Sequence, residues 1–191
     1  MKYSEKELND ALPYNLQELV ETLKMREVSR VFVAGPQRSG TTIVAKMLAE
    51  DLGFAEIQEL LHLDAANNLR PKAVAQCPQI TSRLHEICAP NSVVIFMCRS
   101  LKDIIASGAR IGWNNTHEVS ELNYYKELFP EYFVEGYHLS AIAQNVWLSY
   151  QMPRMQIPFF NLPYNNLKDH PLYVPKAKRK KFEPKQTTPK L

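Results

Sequence analysis

The chain is poor in the groups that define several common protein classes. It has three cysteines in 191 residues, Cys77, Cys88 and Cys98, with no C-x-x-C spacing. An odd, scattered set is neither a disulfide framework nor a zinc pattern, so reduced, mostly buried thiols in a reducing compartment are expected. No apolar run approaches the ~20 residues that a membrane helix needs. The first ten residues, MKYSEKELND, are polar and do not have the basic-then-apolar order of a secretory leader. Together these absences predict a cytoplasmic chain without a membrane partner. Net charge is only +3, too mild a surplus to suggest a nucleic-acid partner. Its distribution is uneven: Lys176, Lys178, Arg179, Lys180, Lys181, Lys185 and Lys190 face a single acid, Glu183, in a basic tail spanning 171–191. The remainder is slightly acidic.

The 45% hydrophobic and 23% charged content is that of a globular protein, and the length suits one domain over 1–191. Leu16, Leu19, Val20 and Leu23 recur at helical spacing, which predicts a helix over 15–27. Strands are expected at Arg30–Ala34, Phe54–Leu60, Lys72–Cys77, Val93–Met97 and Gln156–Phe160. Helices are expected at 41–52 (ending at Gly53), 79–88, 101–109 and 137–150. Residues 61–69 carry no clear period. The alternation of strands and helices predicts an α/β fold of three layers, α/β/α, with a central parallel sheet. Residues 28–110 are expected to form its core, and 111–136, polar and aromatic without a period, an insertion or lid. Trp113, Asn114, Asn115, His117, Tyr124 and Tyr125 lie there and either frame an acceptor pocket or pack the lid.

One missing residue matters most. Val31-Phe32-Val33-Ala34 runs into Gly35-Pro36-Gln37-Arg38-Ser39-Gly40-Thr41-Thr42, and Ile43, Val44, Met47, Leu48 and Leu52 follow at helical spacing. That is strand, glycine loop, helix, the arrangement of a phosphate-binding P-loop. A Walker loop would place lysine at position 41, which here is Thr41. The cation is instead Arg38, three residues earlier. Backbone amides at a helix start suit a phosphate, and Ser39, Thr41, Thr42 and the Arg38 guanidinium add donors. Gln37 lies in the same loop. An ordinary tight turn with a helix cap is the plain alternative.

A second expected residue is also missing. In ATP-hydrolysing P-loop proteins a strand such as Val93–Met97 commonly delivers an aspartate to magnesium. This strand delivers Arg99, with Ser107 eight residues on, about two helical turns later. A cation there repels Mg²⁺ and suits a further phosphate, so no metal is expected. The alternative is a surface ion pair of Arg99 with Asp103.

Taken together, Pro36-Gln37-Arg38-Ser39-Gly40-Thr41-Thr42 and the Arg99/Ser107 pair resemble the sulfotransferase family. Its members transfer a sulfuryl group from 3′-phosphoadenosine 5′-phosphosulfate and leave adenosine 3′,5′-bisphosphate. The resemblance spans about residues 30–110 and has a weaker echo at Tyr164-Asn165-Asn166-Leu167. It implies that the 36–42 loop takes the 5′-phosphosulfate, Arg99 and Ser107 take the 3′-phosphate, and Arg38 stabilises the leaving group. It further implies a base after the first loop's helix, for which Glu56, Glu59 and His62 are candidates. Glu59 best matches the tyrosylprotein branch, whose base lies some twenty residues past the loop cation. Two departures stand out: Gln76-Cys77-Pro78 has no lysine before its proline, and Arg179-Lys180-Lys181 only loosely matches an R-K-G clamp over the 3′-phosphate. The sequence does not identify the acceptor. A P-loop small-molecule kinase and a non-catalytic nucleotide-binding module remain as alternatives.

Overall fold

Five parallel strands make one sheet in the order β2-β3-β1-β4-β5. They are β1 (Arg30–Ala34), β2 (Ala55–Ile57), β3 (Ala73–Gln76), β4 (Ser92–Cys98) and β5 (Phe159–Pro163). The computed structural model describes residues 15–77, 79–112, 125–132 and 138–174. All seven residues of β4 are buried, as a strand covered on both faces must be. β1 lies between β3 and β4, with Phe32 opposite Ala75 on one side and Val94 on the other.

Strand alternation sorts the core into two faces. Val31, Val33, Val74, Val93, Ile95, Met97, Phe160 and Leu162 meet helices α1 (Leu16–Met25) and α2 (Thr41–Leu52) on one side. Phe32, Ala34, Ala75, Val94 and Phe96 meet α3 (Leu63–Asn67), the 3₁₀ turn Thr81–Glu86 and Trp147 on the other. This is a three-layer α/β arrangement, as the alternating pattern predicts. α1 begins where Asn15 accepts a 2.8 Å bond from the Glu18 amide, and it buries Leu16, Leu19, Val20 and Leu23. α2 ends at Gly53 in the left-handed conformation. α4 (Leu101–Ala109) starts on Ser100, whose hydroxyl accepts from the Asp103 amide at 3.2 Å.

Several elements differ from the periodic reading. Residues 79–88 form only the 3₁₀ segment Thr81–Glu86, broken by a non-helical Arg83. The buried Thr81 hydroxyl bonds the Cys77 carbonyl at 3.1 Å, competing with regular helix bonding. β2 stops at Ile57 rather than Leu60, and the Leu60 amide instead bonds Gln76 O at 2.8 Å. β5 starts at Phe159, three residues later than Gln156, because Pro158 has no amide to donate to a ladder. The 137–150 helix divides into α5 (Leu139–Val146) and a π turn, Trp147–Gln151. There Trp147 stacks on Phe96 at 4.4 Å and donates its indole N–H to Asn161 Oδ1 at 2.8 Å. Of the expected insertion, 125–132 packs in order, with Tyr125 and Phe129 buried against Leu139, Ile142 and Val146. Trp113, Asn114, Asn115, His117 and Tyr124 lie outside the described residues.

Cys77 and Cys98 are buried and Cys88 is exposed, so the expectation of buried thiols holds for two of three. Burial pushes the Cys98 thiol up to about 12, and Cys77 is raised for the same reason. Among the described residues no helix is long and apolar enough to cross a membrane.

Candidate functional site at the β1–β4 edge

The order β2-β3-β1-β4-β5 sends the chain from β1 to one side of the sheet and later, through β4 and β5, to the other. In parallel α/β sheets such a reversal opens a crevice outside the carboxyl ends of the adjoining strands. Here the reversal lies between the ends of β1 and β4, which carry the Gly35–Thr42 loop and Arg99.

Glycine is required twice in the loop. At Gly35, φ is +130° and an added Cβ would lie 2.8 Å from the Met97 carbonyl oxygen. At Gly40, φ is +107° and an added Cβ would lie 2.6 Å from the Tyr164 ring. The buried Thr81 hydroxyl braces the loop's first turn: it accepts from the Gly35 amide at 3.4 Å, and Gly35 O, 3.3 Å away, shares its single proton with the Cys77 carbonyl. Arg38 holds φ +65°, a left-handed conformation that disfavours a residue with a Cβ. At α2's start, Gly40 supplies no side-chain cap and no acid stands in the first turn. The helix end therefore keeps the positive character that attracts anions.

Two segments about sixty residues apart meet across the crevice. Arg38 turns Nε and Nη2 toward Ser107 Oγ, each at 3.3 Å. Arg99 Nη1 donates to the Arg38 carbonyl at 2.7 Å, and its guanidinium lies 4.1 Å above the centre of the Tyr164 ring. Arg110, one helical turn past Ser107, donates Nη2 to the same hydroxyl at 3.2 Å. Burial chiefly, then the charges of Arg110 and Arg99, hold the Arg38 pKa below its ordinary value, while Tyr164 acts in the other direction. Three guanidinium groups thus gather at one edge. Asp103 stays with Ser100, whose hydroxyl lies 3.0 Å from Asp103 Oδ2. Arg99 faces the loop.

The other expected residues are placed less uniformly. Ser39 is fully buried, and its Oγ has no bond among the described residues. Gln37 is half-buried, with Oε1 likewise unbonded among them. Thr41 is buried and accepts a long 3.4 Å bond from Gln76 Nε2, while Thr42 is exposed. Gln76 thus ties β3 to the loop. Glu59 and His62 are exposed beyond the carboxyl end of β2. Glu59 shares the loop's sheet edge, since its neighbour Leu60 is anchored to Gln76 O. Glu56 sits within β2, paired with Val74, half-buried with one carboxylate oxygen unbonded among the described residues. Arg179 and Lys180 lie outside the described residues.

Sequence reading missed Arg110 and Thr81. Arg110 had a signal, its i+3 relation to Ser107 on one helix face. Thr81 had none, because only tertiary packing brings it to Gly35. Buried Gln144 was missed as well, and its Nε2 donates to Arg99 O at 3.4 Å. No family model matches the chain, and no curated protein matches its sequence.

Proposed function

We propose that the chain is a sulfotransferase that takes its sulfuryl group from 3′-phosphoadenosine 5′-phosphosulfate. The observation that carries this reading is the meeting of Arg38, Arg99 and Ser107 at one crevice, with Arg38 and Ser107 in direct contact. A nucleotide with phosphates at both ends of its ribose needs two anion-binding points, and two segments are proposed for them. One would be the 35–42 loop with the uncapped start of α2, and the other the end of β4 with α4. The residues fit such a ligand in a further respect: the buried Ser39 Oγ has no bond among the described residues and lies in the loop that would receive the 5′-phosphosulfate. Arg38 and the loop amides would stabilise charge developing on the leaving phosphate. Arginine at the end of β4 disfavours a divalent cation there, which separates this reading from an ATP-dependent kinase. Glu59 is the proposed base, drawing the proton from an acceptor hydroxyl or amine, with Glu56 and His62 behind it.

A thermal scan tests this. Adenosine 3′,5′-bisphosphate without magnesium should raise Tm, by an amount equivalent to ~2.7 kcal/mol at a hundredfold excess over Kd. ATP should have less effect with or without magnesium. Stabilisation by ATP only with magnesium would instead indicate a kinase, and no response to either nucleotide would remove the enzyme reading. Glu59→Gln should keep the bisphosphate shift and lose transfer. Full transfer by that variant would move the base elsewhere.

A further inference from the structure

Two buried glutamines reach the two segments of the site from one stretch of helix. Gln144 of α5 is 4% exposed, and Gln151, at the end of the π turn, is fully buried. An amide taken out of water costs free energy unless its hydrogen bonds are replaced. Each of these directs its Nε2 at a backbone carbonyl. Gln144 Nε2 donates to Arg99 O at 3.4 Å, just past the end of β4. Gln151 Nε2 donates to Thr81 O at 2.9 Å, and the Thr81 hydroxyl in turn accepts from the Gly35 amide. That amide is the last donor before Pro36, which has no N–H, so the entry to the loop is tied to Thr81. Between the glutamines Trp147 stacks on Phe96 at 4.4 Å, which fastens the stretch to β4.

We propose that Gln144 and Gln151 are positioning residues that set the two ends of the nucleotide site separately. Gln151 acts through Thr81 and Gly35 on the loop that takes the 5′-phosphosulfate, and Gln144 acts through Arg99 on the segment that takes the 3′-phosphate. The inference rests on the sulfotransferase reading. Donors that bind a phosphate must be held within about 0.5 Å of the productive geometry, and buried hydrogen bonds behind them do this. Each glutamine works through a backbone atom and not on the ligand. Because both belong to one helical stretch, a single element fixes the spacing between the two ends. The split is the point: each amide supports one phosphate and is indifferent to the other.

Calorimetric titration of the full chain tests this, at a temperature below the Tm of every variant. The probes are adenosine 5′-phosphate, for the loop, and adenosine 3′-phosphate, for the Arg99 segment. Gln151→Met should weaken the 5′-phosphate about fivefold and the 3′-phosphate less than twofold, and Gln144→Met should do the reverse, as the loss of one hydrogen bond implies. Thr81→Val, which keeps the shape without the hydroxyl, should repeat the Gln151→Met pattern, and Thr81→Ser should bind both probes as the wild type does. This second pair decides the matter should a methionine variant not fold. Equal losses on both nucleotides, a methionine variant that keeps its own nucleotide's affinity, or a Thr81→Ser that fails to recover binding would overturn the inference and leave the nucleotide reading standing. A wild type that binds neither probe overturns that reading, and this inference with it.

Discussion

The left-handed backbone at Arg38 makes a prediction in which a smaller side chain stabilises. Arg38→Ala and Arg38→Gly both remove the guanidinium, its two contacts with Ser107 and its repulsion with Arg99 and Arg110. They differ only in the Cβ, at a residue held at φ +65°. A Cβ in that conformation costs about 1–2 kcal/mol. Glycine's greater freedom in the unfolded chain returns about 0.4–1 kcal/mol of that difference. The glycine variant should therefore be the more stable by roughly 0.5–1 kcal/mol, a Tm difference of ~1–4 °C for a chain of this length. Differential scanning calorimetry on the two purified variants reads this directly. Both variants should lose most of the bisphosphate-induced shift, since each lacks the loop's cation. An alanine variant melting at or above the glycine variant would refute the claim that the loop holds residue 38 under strain. The reason for that strain, the carbonyl of Arg38 presented to Arg99 Nη1, would fall with it.

Gly40→Ala combines φ +107° with a Cβ 2.6 Å from the Tyr164 ring, so it should destabilise by ~2–4 kcal/mol. Adding Tyr164→Ala should recover part of the loss, because it opens the space but leaves the dihedral unfavourable; an undiminished Tm for Gly40→Ala would show that the ring does not sit on the loop. His138, whose Nδ1 accepts from the Ser140 amide at the start of α5, has its pKa lowered by burial, so protonation favours the unfolded chain. Its contribution should be complete above about pH 6.5 and decline as pH falls toward the lower folded value. His138→Asn, which keeps a capping side chain, should flatten Tm against pH between about 5 and 7; parallel profiles would assign the dependence to His85, lowered chiefly by burial too.

Much of the framework follows from local pattern. β1, α2 and α4 occupy the residues that periodicity predicts, because an apolar strand run and a 3.6-residue stripe each bury one consistent face. The misplaced elements are those that tertiary partners decide. The 81–86 turn is broken where the Thr81 side chain bonds backbone, and α5 widens where Trp147 meets Phe96 and Asn161. β5 begins only where it pairs with β4, with Phe159 opposite Val94.

The candidate site divides in the same way. By itself the sequence determined that Arg38 and a glycine loop follow one buried strand, with Thr41 and not a lysine at the start of the helix, and that Arg99 and not an aspartate follows another, since both are questions of residue identity. It also placed Ser107 two turns along a helix, a matter of spacing alone. Only the tertiary structure decided that these residues share one crevice. Their separation in the chain carries no information about distance until β1 and β4 pair in register, Ala34 beside Phe96. That pairing brings Ser107 within reach of Arg38 and adds Arg110 from the same helix, while the pairing of β4 with β5, Cys98 beside Pro163, sets Tyr164 over Gly40. Hydrogen-bond geometry and charge repulsion act over a few ångströms, so the number of cations at the site became countable only in the folded chain.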